Sequence, residues 1–152
     1  MNIKRCCFAG HSKIYDDTLV EKIIKKAEYL ITEYNVKEFW VGYYGNFDSY
    51  SANAVRELKK KYKDIKLICV VAYLSTLEGE RGQLMITKFD NIIVSNIPEK
   101  TQMPYRILKT NEFMVNNSNF LICYIKNEWG GAYKTYEYAK RKNIEIFNLY
   151  KK

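Results

Sequence analysis

"KLICVVAYL", Lys66–Leu74, is the stretch that decides the fold. After its lysine it runs apolar and β-branched, without polar alternation. A strand with one wet face alternates, whereas a continuous run suits a strand buried on both faces of a parallel sheet. Parallel strands need long crossovers, usually helices. The flanking sequence supplies them. Upstream, "DSYSANAVRELKKKY" (Asp48–Tyr62) puts Ala52, Val55 and Leu58 in helical phase. Before it, "VKEFWVGYYGN" (Val36–Asn46) holds a strand ending at Gly42. "DDTLVEKIIKKAEYLITEYN" (Asp16–Asn35) spaces Leu19, Ile23, Ala27, Leu30 and Ile31 as a helix, with Asp16 or Asp17 as its cap. "IKRCCFAGH" (Ile3–His11) is a first strand ending at a glycine.

Downstream the alternation continues. The stretch 76–89 reads as a helix begun late, and "NIIVS" (Asn91–Ser95) as a short strand. "NIPEKTQMP" holds both prolines of the chain and reads as a loop. "YRILKTNEFMVNNS" (Tyr105–Ser118) is a helix and "NFLICYI" (Asn119–Ile125) a strand. Tyr133–Lys142 is a last helix, and "IEIFNLY" (Ile144–Tyr150) a last strand. The pattern predicts one α/β domain over residues 1–152, with three layers and a mainly parallel sheet of about six strands. Right-handed crossovers would put helices on both faces.

Composition narrows the function classes. Nearly half of the 152 residues are apolar, so disorder is not expected. No run of about 18 uncharged apolar residues exists, so no membrane span is predicted. The start "MNIKRCCFAGH" lacks an apolar segment of leader length, and the expected location is the cytoplasm. Cys69 and Cys123 sit in apolar runs, and Cys6 and Cys7 are adjacent, so on a strand they face opposite ways. Their spacing fits no zinc site, and neither a metal nor a cofactor is expected. Net charge is +8, from 25 Lys+Arg against 17 Asp+Glu. The basic residues fall mostly on helical faces, so solvated helix surface is favoured over a nucleic-acid groove, although the latter stays open. The same field would favour an anionic small molecule.

The glycines carry the functional signal. In parallel α/β sheets ligands bind outside the carboxyl ends of the strands. Five of the seven glycines fall there: Gly10 after the first strand, Gly42 and Gly45 after the second, Gly130 and Gly131 after the fifth. Glycine permits tight turns and close approach to a ligand. Three such corners on one edge predict a nucleotide or phosphate pocket. The dinucleotide GxGxxG, the P-loop GxxxxGK[ST] and the hydrolase GxSxG are all absent.

"CCFAGH", "VGYYGNFDSYSANAVRELKKKYKDIKL", "NEFMVNNSNFLICYI" and "WGGAYKTYEYAKRKNIEIFNL", in this order over most of the chain, resemble the SLOG superfamily in its YpsA-like branch. The resemblance implies a Rossmann-like fold, related to the cytokinin-activating phosphoribohydrolases and to the DNA-processing protein DprA. It implies a sensor or sequestering module for a nucleotide or NAD-derived ligand, assembling as a homo-oligomer. By position, Gly10, His11 and Ser12 resemble a TGHR-type turn, with Ala9 for Thr and Ser12 for Arg. Gly42, Gly45, Phe47 and Asp48 resemble the second glycine-rich turn. Asn111 resembles the end of an RN pair in which Thr110 stands for Arg, with Lys109 and Arg106 as nearby substitutes. Gly130, Gly131 and Thr135 resemble a GG…T signature.

Each candidate also has a plain chemistry. Gly130 and Gly131 would free the first amides of the last helix as an anion seat, with Lys134 and Thr135 in its first turn. Asp48 is either an N-cap or an acceptor for ribose hydroxyls. Asn111, on a face with Met114 and Val115, is either bonded within the protein or to a ligand. His11 contacts phosphate, exchanges protons or organises its loop. Tyr44 and Trp129 are positioned to stack on a base, or to pack at the edge. The alternative function is cleavage of an N-glycosidic bond. The phosphoribohydrolase pattern PGGxGTxxE is matched by Gly130, Gly131 and Glu137 but broken at Trp129, Tyr133 and Lys134. Glu137 is therefore the candidate catalytic carboxylate of that alternative, and non-catalytic binding is the favoured reading.

Overall fold

The apolar runs of the sequence become strands and the amphipathic runs become helices. The structure, a computed structural model, describes residues 3–98 and 100–151. The elements run β1 (Arg5–Gly10), α1 (Leu19–Tyr34), β2 (Glu38–Val41), α2 (Asn46–Lys59) and β3 (Lys66–Val71). A 3-10 turn (Leu74–Leu77) then leads to α3 (Gly79–Ile86), β4 (Asn91–Val94), α4 (Tyr105–Asn116), β5 (Phe120–Tyr124), α5 (Gly131–Arg141) and β6 (Glu145–Asn148).

The six strands form one sheet in the order β4-β3-β2-β1-β5-β6. Every pairing is parallel. The unbroken apolar run forms β3, and Leu67 to Val71 are all buried. Its flanks lie in both packed layers. Leu67, Cys69 and Val71 join a core with α1, α2 and Met85 of α3. Ile68 and Val70 join a second core with α4 and α5. Cys6 and Cys7 divide between these two cores, as strand alternation requires. All four cysteines are free and buried. The fold is thus a three-layer α/β Rossmann-like arrangement with an all-parallel sheet.

Helix α1 buries the five apolar positions that its spacing singled out. It starts at Leu19 rather than at Asp16. The Asp16 carboxylate instead makes a turn ahead of the helix, accepting the Thr18 N–H at 2.9 Å and the Thr18 hydroxyl at 2.6 Å. Asn35 ends it in the left-handed region, at φ +57°. Helix α2 starts at Asn46, two residues before the predicted start, so Asp48 lies in the first turn and is not the N-cap. The predicted late helix in 76–89 is α3, preceded by the 3-10 turn.

Topology fixes where a ligand can sit. From β1 the chain steps outward through β2 and β3 to β4, then returns by α4 to β5 on the other side of β1. The crossovers diverge between β1 and β5, which opens a crevice at their carboxyl ends.

Candidate functional site

A cavity of about 510 Å³ lies at that crevice. Its floor is the end of β1 and the loop after it, from Gly10 to Lys13. One wall is α4, through Pro104, Ile107, Leu108 and Asn111. The other is the start of α5, through Asn127, Trp129, Gly130 and Gly131. Tyr44 and Asp48 close the side toward β2. The structure therefore brings together Gly10, His11, Ser12, Tyr44, Asp48, Asn111, Trp129, Gly130 and Gly131.

The glycines there do two different jobs. A Cβ on Gly10 would stand 2.4 Å from the Phe47 ring, so this glycine lets α2 approach β1. A Cβ on Gly45 would meet Ser12 Cα at 2.7 Å, and the next residue, Asn46, donates its N–H to the Ser12 carbonyl at 2.9 Å. Gly42 faces the Asp48 carboxylate in the same close manner, at 3.0 Å. These three glycines, at two corners, serve packing between loops and helices. Gly130 and Gly131 differ: no atom lies within 4 Å of a Cβ at either position. Gly130 sits at φ +92°, a conformation that favours glycine, and it turns the chain into α5. The first helical bond runs from the Lys134 N–H to the Gly130 carbonyl. The amides of Gly131, Ala132 and Tyr133 precede that ladder and point out of the helix start, where the dipole is positive.

His11 binds the wall opposite its own loop. Its Nε2 accepts the N–H groups of Lys126 and Asn127, at 3.0 and 3.1 Å. A nitrogen that accepts carries no proton, so the neutral ring is protonated at Nδ1. Burial lowers the His11 pKa below its ordinary value.

Asp48 is the carboxylate of the site. Its Oδ2 accepts the Tyr44 N–H at 2.9 Å, and it makes no ion pair among the described residues. Burial pushes its pKa up to about 6, and the bonds from the Tyr44 and Gly42 amides pull the other way. The Tyr44 hydroxyl accepts the Ala72 N–H at 2.7 Å, tying the ends of β2 and β3 together. Asn111 is half-buried, next to the fully packed Met114 and Val115, and turns toward the cavity. Trp129 is 71% exposed at the rim.

The remaining candidates lie elsewhere. Gly42 and Gly45 line a second cavity, also about 510 Å³, between α2 and α3, with Arg56, Lys88 and Phe89; Asp48 borders both cavities. Thr135 is buried and returns its hydroxyl to the Gly131 carbonyl at 3.0 Å. Lys134 is exposed and lines neither cavity. Glu137 is also outside both, 3.8 Å from Lys140. The cations near Asn111 are occupied: Arg106 Nε donates to the Ala72 carbonyl at 2.8 Å and its guanidinium covers Tyr73, while Lys109 pairs with Glu112. Thr110 bonds Ser95 in the interior at 2.8 Å.

On the α4 wall the sequence reading reached Asn111 but not Pro104, Ile107 or Leu108. The signal was present: Pro104, Ile107, Leu108 and Asn111 follow the three- and four-residue spacing of one helix face. Asn127 was missed because nothing in "KNEWGG" marks it apart from the glycines.

The comparisons with known proteins address the fold. No family model matches the chain, and no curated protein matches its sequence. Among solved structures, DNA processing protein A (DprA) from Streptococcus pneumoniae matches with a TM-score of 0.71 at 14% identity, over 99% of this chain and 51% of that one. DprA from Helicobacter pylori, described for its single-stranded DNA binding mode, matches with a TM-score of 0.70 at 14% identity, over 98% and 66%. The Moco carrier protein of Chlamydomonas rheinhardtii matches with a TM-score of 0.54 at 10% identity, over 96% and 75%. The chain thus spans between half and two thirds of the DprA structures. The Rossmann-like fold implied by the SLOG resemblance is borne out, and it is similar to that of the DprA structures.

Proposed function

We propose that this chain is a binding module for a nucleotide or a nucleotide-derived small molecule, held in the cavity between β1, α4 and α5. The observation that carries the reading is the open helix start at Gly130–Gly131 in the wall of a switch-point cavity. Donors and a positive dipole end suit a phosphate. Trp129 at the rim would take the base, Asp48 and Asn111 the sugar hydroxyls. His11 and Ser12 border the same floor. Lys134 adds field without contact, and Thr135 holds the first turn. A sensing or sequestering role, a cytoplasmic location and a homo-oligomeric state extend this reading from the resemblance.

A thermal-shift screen with AMP, NAD, ADP-ribose, cyclic ADP-ribose and cyclic dinucleotides tests it. A binder raises the melting temperature with its concentration. Absence of any shift across the panel would sink the reading. Adding a short single-stranded oligonucleotide examines the DNA-binding property described for the Helicobacter pylori relative. Preference for the oligonucleotide over every mononucleotide would replace the small ligand with nucleic acid.

One observation favours the N-glycosidic alternative in a changed form. Cleavage at a sugar needs a carboxyl group near it. Asp48 borders the cavity, with its pKa near 6, whereas Glu137 does not line it. Any turnover would then run on Asp48, and release of free base by the Asp48→Asn variant would exclude that role.

A further inference from the structure

The chain contains one histidine, and its ring is not directed at the cavity as a free cation. Two consecutive backbone amides, Lys126 and Asn127, converge on its Nε2. Paired amides of this kind form a concave donor site that attracts anions or lone pairs. Here a lone pair fills it. The bonds span from the loop after β1 to the loop after β5, and four residues beyond Asn127 the chain enters α5. The geometry points to His11 as the positioning residue of the anion seat: its neutral imidazole clamps the Lys126–Asn127 turn and so fixes the start of α5. This inference rests on the proposed function only for its ligand arm.

Protonation removes the acceptor. An imidazolium would present an N–H to two N–H groups, so the clamp opens when the ring charges. Anion binding then weakens as pH falls through the His11 titration. A histidine that touched phosphate directly would act in the opposite sense, since its positive form would bind the anion better. The sign of the pH dependence separates the two roles. Titratable and polar groups lining the same cavity are Lys13 from its own loop, Tyr44 and Asp48 from the β2–α2 side and the uncharged Asn111 from α4, while Lys126 and Glu128 belong to the clamped loop. None forms an ion pair with the ring among the described residues. Asp48, raised to about 6, is a second titrating group at the cavity, so the comparison must be with a variant that retains it.

The first arm uses ligand-free protein. Nitrogen-15 NMR of the sole imidazole should show the proton on Nδ1, and the amides of Lys126, Asn127 and Gly131 should follow the ring titration. A proton on Nε2, or amides that ignore the titration, would overturn the inference. The second arm measures NAD affinity from pH 8 down through the ring titration that the first arm locates; both phosphates of the NAD pyrophosphate keep their charge throughout. His11→Gln offers an amide oxygen close to the Nε2 position and should stay within a few-fold of wild type, with the His-linked loss at low pH removed. His11→Ala should bind about tenfold more weakly at pH 8, as expected for two lost acceptor contacts. Equal weakness of both variants, or wild-type affinity that rises relative to His11→Gln as pH falls, would refute it. Failure of NAD to bind at all would count against the ligand reading alone, because the first arm still decides the clamp.

Discussion

Replacing Gly131 by proline removes one donor from the anion seat and little else. Gly131 is the first residue of α5, after the Gly130 cap. Proline is favoured at that position, because its missing N–H lies ahead of the helical ladder and its fixed φ suits the helix. No neighbour lies within 4 Å of the new Cβ. The folded state should therefore tolerate the change. If the Gly131 amide bonds an ionised phosphate, its loss costs about 1.5–3 kcal/mol, or roughly 10- to 150-fold in affinity. The helix start is open to water, which favours the lower end. With ligand at 100 times its dissociation constant, binding stabilises the fold by about 2.7 kcal/mol, and a tenfold weaker complex by about 1.4. For a domain of this size that is a melting shift of about 5–11 °C reduced by half. Calorimetric titration of Gly131→Pro beside Gly131→Ala is the assay, since both variants carry a Cβ and only alanine keeps the N–H. Gly131→Ala should bind at least tenfold more tightly than Gly131→Pro. Equal affinity of the two variants would refute the amide seat.

Asp48→Asn should stabilise the ligand-free protein by up to about 3 kcal/mol at pH 7 and by only about 1 kcal/mol at pH 4.5. A carboxyl raised from 3.8 to about 6 in the folded state binds more protons than the unfolded chain between those values, so its burial costs up to about 3 kcal/mol above pH 6. Denaturant melts at the two pH values check it, and a loss of stability at pH 7 would contradict the assignment. His11→Gln should flatten the opposite trend: the lowered pKa of His11 gives stability that is complete above its unfolded value and lost as pH falls through the folded one. Gly10→Ala should destabilise by about 1–3 kcal/mol through overpacking against Phe47, visible in thermal melts. Glu137→Gln should leave nucleotide affinity and any base release unchanged, and lost turnover would return Glu137 to the chemistry.

The alternation of elements was legible because two physical periods write it into the sequence. Ile68 to Val71 are apolar without a break since helices cover both sides of β3, and Leu19, Ile23 and Ala27 recur with the helical turn because one face of α1 is buried. The element starts were less legible. Asp16 and Asp48 carry the residue type of a cap, yet each spends its carboxylate on nearby turn backbone, Thr18 and Tyr44 respectively. Residue type alone does not choose among local acceptor roles. The order of strands was also unreadable, because it depends on contacts far apart in the chain, such as Ala9 beside Cys123.

The same limit shaped the reading of the glycines, and there it bears on function. A glycine signals that something must come close, but the sequence does not say whether that thing is the protein itself. At Gly10 it is Phe47, at Gly45 it is Ser12, and at Gly42 it is Asp48. Those three glycines have their explanation within the fold, so they add nothing to the case for a ligand. Gly130 and Gly131 have no such occupant. A positive φ explains Gly130 as a turn, but Gly131, the first residue of the helix, has neither a positive φ nor a packed neighbour to require glycine. A glycine with no close neighbour beside outward-facing amides is the pattern expected where the missing neighbour is a ligand. One glycine pair, rather than three converging corners, thus marks the ligand site, and comparing proline with alanine at Gly131 tests it directly.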